Sequence, residues 1–181
     1  MFNRSQCECK TFRDNVHGYI SIPKEYVRLF IDTELFQRLR QIEQTGMRTL
    51  YPGARHDRFA HSLGVFHLAG MAFERFWRNS KKDVEGMESK VGDDSVWKIC
   101  GVLFEIAALL HDCGHSPFSH TLEFLYDGDG KAENNLNKRL LELNASPDFQ
   151  KDFSSDGGYC GAPHERMSAL LVCSEYRTAI G

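Results

Sequence analysis

Between Ile106 and Glu123 the chain reads IAALLHDCGHSPFSHTLE, and no other stretch limits the fold as tightly. An apolar run, Ile106–Leu110, ends abruptly in His111–Asp112, and His115, His120 and Glu123 follow. If a helix runs on to a stop at Gly114, the His–Asp pair lies at its buried end. A charged carboxylate there is costly unless it is paired or bound to a metal. Neutral imidazole and carboxylate together suit borderline and hard divalent cations, and both bind only when deprotonated. A helix C-terminus with two capping histidines and a solvated aspartate accounts equally well for a lone His–Asp pair. Three histidines and two carboxylates within thirteen residues favour a site.

The chain around this stretch is 181 residues long, enough for one domain with a substantial core. Its 41% hydrophobic and 12% aromatic content argues against disorder. A net charge of −3 exerts no bulk pull towards nucleic acid, which is left open as a partner without a motif to support it. No signal-peptide pattern is present, and no apolar run approaches the roughly 20 residues of a membrane span. The expectation is a soluble, intracellular protein, cytoplasmic with the nucleus left open, and no membrane partner. Cys7 and Cys9 form a Cys-x-Cys pair without a second pair at zinc-site spacing. The other four cysteines stand in apolar helical context and are expected to be free buried thiols.

Read in order, residues 1–9 form a start without a clear element, and 10–22 suggest short strands around a turn at Asp14–Asn15 and Gly18. Pro23 ends that element and starts a short helix over 24–31. Asp32–Thr33 then caps a second helix over 34–44, with Gly46 at its exit. Its apolar stripe is Leu35, Leu39 and Ile42; Gln37, Arg38, Arg40, Gln41 and Gln44 are expected on a solvated face. Tyr51–Pro52–Gly53 is a turn. Over 58–77 apolar residues recur on both faces, which predicts a central helix buried nearly all round. His61 falls in one of its stripes, where a hydrogen-bonded core histidine is the commoner occupant. Residues 79–94 read as a loop, and Ser95 as the cap of the helix that runs into His111–Asp112. Ser116–Pro117 matches the start of a further short helix bearing His120 and Glu123. Residues 126–161 are polar and glycine-rich apart from a helical patch over 136–143. Pro163 opens a last helix to about Glu175, with His164–Glu165 in its first turn. The fold class expected is mostly all-α.

The ordered set His61, His111, Asp112 resembles the HD-domain metal phosphohydrolases, which are named for that His–Asp pair. The flanking words are more specific than the pair. They are Phe36–Gln37–Arg38–Leu39–Arg40, Tyr51–Pro52–Gly53–Ala54, His61–Ser62–Leu63–Gly64–Val65, the run from His111 to His120, and His164–Glu165. Together they resemble the deoxynucleoside triphosphate triphosphohydrolases of the SAM-and-HD-domain type and their bacterial dGTPase-like relatives. The likeness covers about residues 10–70, 103–125 and 163–172. It implies an HD-domain helical bundle with a short N-terminal β-hairpin, one domain over 1–181.

The resemblance also implies roles. His61, His111 and Asp112 become ligands of a divalent metal, with Mn, Fe, Zn, Ni and Mg all compatible with the donors. His115 lies beside the α-phosphate, and His164 transfers a proton to the leaving group. Glu165 and Glu123 orient or polarise the acting histidine, Glu123 standing where a relative has Asp. Arg58 and His120 contact phosphate, and Gln44 the sugar 3′-hydroxyl. Asp32, Gln37 and Arg40 correspond to positions that read a regulatory nucleotide, although Arg13 stands where a relative has Asn. The implied partners are a deoxynucleoside triphosphate as substrate, a regulatory nucleotide, and further copies of the chain in a homo-oligomer.

Family members complete the metal site with an Asp well past the His–Glu helix, and grip the outer phosphates with Lys, Tyr and Arg from the same region. The chain given ends at Gly181, and Asp148, Asp152 and Asp156 lack that context. It therefore reads as the N-terminal part of the family fold, or as a shortened homologue with three protein ligands. The expected reaction converts dNTP and water to a deoxynucleoside and tripolyphosphate. The alternatives are another nucleotide or a nucleic-acid end as substrate, and a non-catalytic nucleotide-sensing domain.

Overall fold

The computed structural model describes residues 7–45, 50–83, 94–127, 136–143, 146, 147, 150 and 161–180. Two antiparallel strands, β1 (Cys9–Asp14) and β2 (Gly18–Pro23), form a hairpin with Phe12 opposite Ile20. The Asp14 carboxylate folds the connection by accepting the backbone N–H groups of Val16 (2.8 Å) and His17 (2.7 Å), as a short polar side chain does in an Asx turn. Gly18 takes φ of +76°, a left-handed conformation that glycine adopts without a Cβ penalty. Ile20 and Ile22 point inward and are fully buried.

Beyond Pro23 the backbone turns helical, first as α1 (Lys24–Tyr26) and then as a π-helical turn, Val27–Ile31. The Thr33 hydroxyl accepts the Phe36 N–H and so caps α2 (Glu34–Gln37), which tightens into a 3-10 turn, Arg38–Gln41. The expected helix over 34–44 is thus shorter: Ile42 is already extended, and Glu43 bridges Asp57. Gly46 lies outside the described residues. Ala54 N–H closes on Tyr51 C=O at 2.8 Å, the turn expected at Tyr51–Pro52–Gly53.

Two long helices form the frame, α3 (Arg58–Asp83) and α4 (Asp94–Leu110). Each runs deeper into the segment read as a loop over 79–94 than the sequence suggested, and Ser95 sits inside the first turn of α4 instead of preceding it. Burial along α3 also departs from the expectation of a helix covered all round. Phe59, Leu63, Phe66 and Ala69 are buried, whereas Leu68, Met71 and Phe76 are exposed. Its first half packs on the hairpin and helical turns of the N-terminus, and in its second half Phe73 and Phe76 meet Trp97 and Phe104 of α4. The core joins Ile20, Ile22, Phe30, Phe36, Leu39, Phe59, Phe66, Leu109 and Leu110.

Further helices among the described residues are α5 (Leu136–Leu143), α6 (Pro163–Glu175) and α7 (Arg177–Ile180). Leu136 and Leu140 of α5 pack with Leu170 of α6 in a small second cluster. At the end of α6 the buried Tyr176 meets Phe30 edge-on at 5.4 Å and shares a 2.6 Å hydrogen bond with the Thr33 hydroxyl. Burial pushes that phenol up to about 12. Of the cysteines described, Cys113 alone is buried, its thiol likewise pushed up by burial to about 12; Cys100 and Cys173 are exposed, contrary to expectation. Cys160 lies outside the described residues. No helix among the described residues is long and apolar enough to cross a membrane. The architecture is mostly helical with a short N-terminal hairpin, as the sequence suggested.

Candidate functional site

The α4 helix ends at Leu110, before the residues that matter, and 111–114 form turns. Gly114 is therefore no helix stop. A Cβ on it would stand 2.3 Å from the Ser168 backbone nitrogen and 2.7 Å from the His164 carbonyl oxygen, so only glycine lets this turn lie directly against α6. The Ser168 hydroxyl locks the contact, accepting the Gly114 N–H at 2.8 Å and donating to the His164 carbonyl at 2.8 Å. This close approach brings the first turn of α6 beside the 111–115 turn. Arg38 donates to the carbonyls of His115 (2.6 Å) and Cys113, and Tyr126 donates to that of Gly114 (2.6 Å). Backbone acceptors left over by the irregular turn thereby find partners, as buried carbonyls must. Arg38 was expected on a solvated face. Nothing in the local spacing announces a partner more than seventy residues away.

The turn presents Asp112, 2% exposed, to four neighbours. Arg58 donates to its Oδ2 at 2.6 Å. His111 Nε2 lies 3.3 Å and His115 Nε2 3.4 Å from Oδ1, and His61 Nε2 lies 3.7 Å from Oδ2. Burial alone would raise this carboxyl; His115, His111 and Arg58 outweigh it and hold the group well below the usual range. Burial lowers His61 and His115 in turn, against the pull of Asp112, which favours their neutral forms.

His61, His111 and Asp112 offer ligand atoms that all lie within 4.8 Å of one another. His111 Nδ1 meets the Ala108 carbonyl oxygen at 2.8 Å, so Nδ1 carries the proton and Nε2 keeps its lone pair. Gln44 meets His61 Nδ1 at 2.9 Å, and a carboxamide turned to accept that proton leaves the His61 Nε2 free in the same way. Two oriented imidazoles and an ionised carboxylate fit a divalent cation with bonds of about 2 Å.

A second group of four side chains adjoins the first: His115, His120, Glu123 and His164, again with ligand atoms within 4.8 Å. Glu123 Oε1 receives His120 Nδ1 at 2.5 Å and His164 Nδ1 at 2.7 Å, with His115 Nδ1 at 3.8 Å. The His115 and His164 rings stack at 3.9 Å, 19° apart. His120 and Glu123 come from a 3-10 helix, His120–Asp127, that follows a tight 116–119 turn. Ser119 has φ of 54° there, and Ser116 Oγ donates to its carbonyl. Ser116–Pro117 therefore builds a turn and not the helix cap expected of it. Ser119 then accepts from Arg58 Nη2 at 2.6 Å, and that nitrogen also lies 3.3 Å from His120 Nε2.

Two sets of expected residues are placed elsewhere. Glu165 does not reach a histidine; its carboxylate accepts the Ala162 N–H at 2.7 Å, capping α6. Asp32, Gln37 and Arg40 stay on the N-terminal turns: Asp32 is exposed, Gln37 donates to the Ile31 carbonyl and accepts from Arg40 Nε, and the Arg40 guanidinium covers the Phe59 ring at 3.4 Å. Asp148, Asp152 and Asp156 lie outside the described residues. A cleft of about 210 Å³ opens against His61, lined also by Gln44, His56, His17 and Leu68.

The family model described as "HD domain" matches residues 58–144. The chain is 39% identical over 124 residues to the deoxynucleoside triphosphate triphosphohydrolase SAMHD1 homolog of Dictyostelium discoideum, covering 68% of this chain and 22% of that protein. It is 42% identical over 120 residues to the deoxynucleoside triphosphate triphosphohydrolase SAMHD1 of Gallus gallus, covering 66% and 17%. Against the uncharacterized protein YwfO of Bacillus subtilis the identity is 37% over 159 residues, covering 83% and 33%. The chain thus spans a third or less of the length of these relatives.

Proposed function

With residues 58–144 forming an HD domain, we propose that the chain carries a metal-dependent nucleotide phosphohydrolase centre that converts a deoxynucleoside triphosphate and water to a deoxynucleoside and tripolyphosphate. The observation that carries this reading is the hydrogen bond between His164 Nδ1 and Glu123, placed one imidazole away from the His61–His111–Asp112 group. A metal-binding fold as such has no use for a carboxylate-backed histidine there, whereas a departing 5′-oxygen needs a proton donor. The printed names of two relatives support the choice of substrate.

A divalent ion, whether Mn, Fe, Zn, Ni or Mg, would lower the pKa of a bound water and neutralise phosphate charge. The chain's own side chains do the rest. Glu123 holds the Nδ1–H of His164, which directs Nε2 to the substrate and stabilises the protonated ring that donates. His115, stacked on that ring, keeps it in place and lies beside the α-phosphate. Arg58, fixed by Asp112 and Ser119, and His120 next to it supply the cationic side for phosphate oxygens. Gln44 stands at the cleft against His61, where the sugar 3′-hydroxyl would reach it. A regulatory nucleotide at Asp32, Gln37 and Arg40 belongs to the same reading.

The test is hydrolysis of dGTP by the manganese-loaded chain, with the phosphate product identified. Tripolyphosphate is expected, and His164→Asn should lower turnover by about 10²–10⁴-fold while metal content stays constant. Orthophosphate or pyrophosphate as product, or full turnover in His164→Asn, would remove this assignment.

A further inference from the structure

We propose that Ser119 is a further phosphate-binding residue: its hydroxyl accepts from Arg58 and donates its own proton to an oxygen of the substrate. The choice of a phosphate as ligand rests on the hydrolase reading above.

The first observation lies in the backbone. Ser119 has φ of 54°, and among the described residues no other non-glycine residue takes a positive φ. A Cβ in the left-handed region crowds the carbonyl oxygen that follows it, so glycine is favoured there and serine is not. The turn holds Ser119 in place from both ends. Its N–H donates to the Ser116 carbonyl at 3.0 Å, and Ser116 Oγ donates to its carbonyl at 2.6 Å. Ser116 is itself buried, which shields these bonds from water. Side chains kept in such a conformation gather at ligand sites, where the strain is offset by what the side chain does.

The second observation concerns the hydroxyl. Arg58 Nη2 donates to Ser119 Oγ at 2.6 Å, while Nη1 of the same guanidinium holds Asp112 Oδ2 at 2.6 Å. A serine hydroxyl offers one proton and two lone pairs. Here a cation takes a lone pair, and among the described residues the proton has no acceptor. The two nearby carboxylates are engaged elsewhere, Asp112 by Arg58 and Glu123 by His120 and His164. Arg58 is buried, whereas Ser119 is half-buried, so the guanidinium meets a ligand through the serine. His120 Nε2 lies 3.3 Å from the same Nη2, which sets that exposed ring beside the hydroxyl. A free O–H polarised by a guanidinium selects an anionic oxygen as its acceptor.

Ser119→Ala and Ser119→Gly test this together. Both delete the hydroxyl, but only alanine keeps a Cβ in the left-handed backbone, so the glycine variant should resist denaturant better than the alanine variant. The probe is inorganic tripolyphosphate, titrated calorimetrically into the metal-free chain. Both variants should bind it about 10–100-fold more weakly than wild type, since each loses a hydrogen bond to a charged group. Manganese affinity should be the same in all three chains, because Arg58 keeps its place on Asp112. Wild-type affinity for tripolyphosphate in the glycine variant would show that residue 119 serves the turn alone, and would overturn the proposal. So would a wild-type chain that binds no tripolyphosphate. An altered manganese affinity alongside weaker tripolyphosphate binding would show that the serine only holds Arg58, and would overturn the direct contact. The hydrolase reading fails separately: a wild-type chain that binds tripolyphosphate but releases none from dGTP removes that reading and leaves the Ser119 contact standing.

Discussion

The two histidine groups that meet at His115 are made of the same residue types and prepared for different work. In the first, the outer nitrogens of His61 and His111 rest on an amide and a backbone carbonyl, and the inner nitrogens keep lone pairs beside Asp112. In the second, the inner nitrogens of His120 and His164 point at Glu123, with protons between them. The first is oriented to hold a cation; the second shares protons. The hydrogen-bond partner of each ring, and not the ring itself, makes the difference.

Asp112→Ala should erase the contrast altogether. It removes a metal ligand and leaves the Arg58 guanidinium, 4% exposed, without its buried partner. A loss of about 3–5 kcal/mol is expected from denaturant unfolding, together with loss of metal from the first group. An unchanged unfolding midpoint would mean that the pair is not structural.

Gly114→Ala should separate the groups. The added methyl meets the backbone of α6 at Ser168 and His164, pushing that helix away at a cost on the order of 1–3 kcal/mol. The second group then loses His164, and turnover falls. Metal affinity of the first group, which α6 does not touch, should hold. Equal damage to both would show that they are one unit.

Acid titration of the metal-free chain addresses one histidine from each group. Burial holds His61 and His115 below the ordinary histidine range, so the unfolded chain takes up their protons first. Stability should therefore fall as pH drops below about 6.5 and keep falling through the folded-state values. Asp112 acts in a lower window: its depressed carboxyl contributes stability that is lost only below about pH 3.9. Melting temperatures that stay flat from pH 7 to pH 5 would contradict the first part.

Glu165→Ala should matter least. Its carboxylate caps α6 through the Ala162 N–H, and losing a cap costs about 1 kcal/mol. Turnover should stay unchanged, in contrast to Glu123→Gln. A large fall in turnover with little loss of stability would restore Glu165 to the catalytic role that the resemblance implied.

Much of the fold was legible because its signals are local. The hairpin follows from Asp14 and Gly18, α6 from Pro163, and the short α5 from its leucines, each a preference acting over a few residues. Three departures from expectation share one cause. Arg38, Gln44 and the far half of α3 were judged by periodicity within their own segments. Whether a polar side chain is solvated, or an apolar one covered, depends on what another segment brings to it. Arg38 is drawn in by carbonyls of the 113–115 turn, whereas Phe76 stays exposed because α4 covers only part of α3.

The sequence by itself singled out the side chains, His61, His111 and Asp112 as expected metal ligands and His115, His120, Glu123 and His164 in the roles that the resemblance implied, since such chemistry belongs to the residue type. Only the tertiary structure decided how they divide into two groups and which nitrogen of each ring faces inward. Those outcomes depend on Gly114 admitting α6, on Arg58 pairing with Asp112, and on the carbonyl, amide or carboxylate that each imidazole meets. Such contacts join residues distant in the chain, and no local pattern records them.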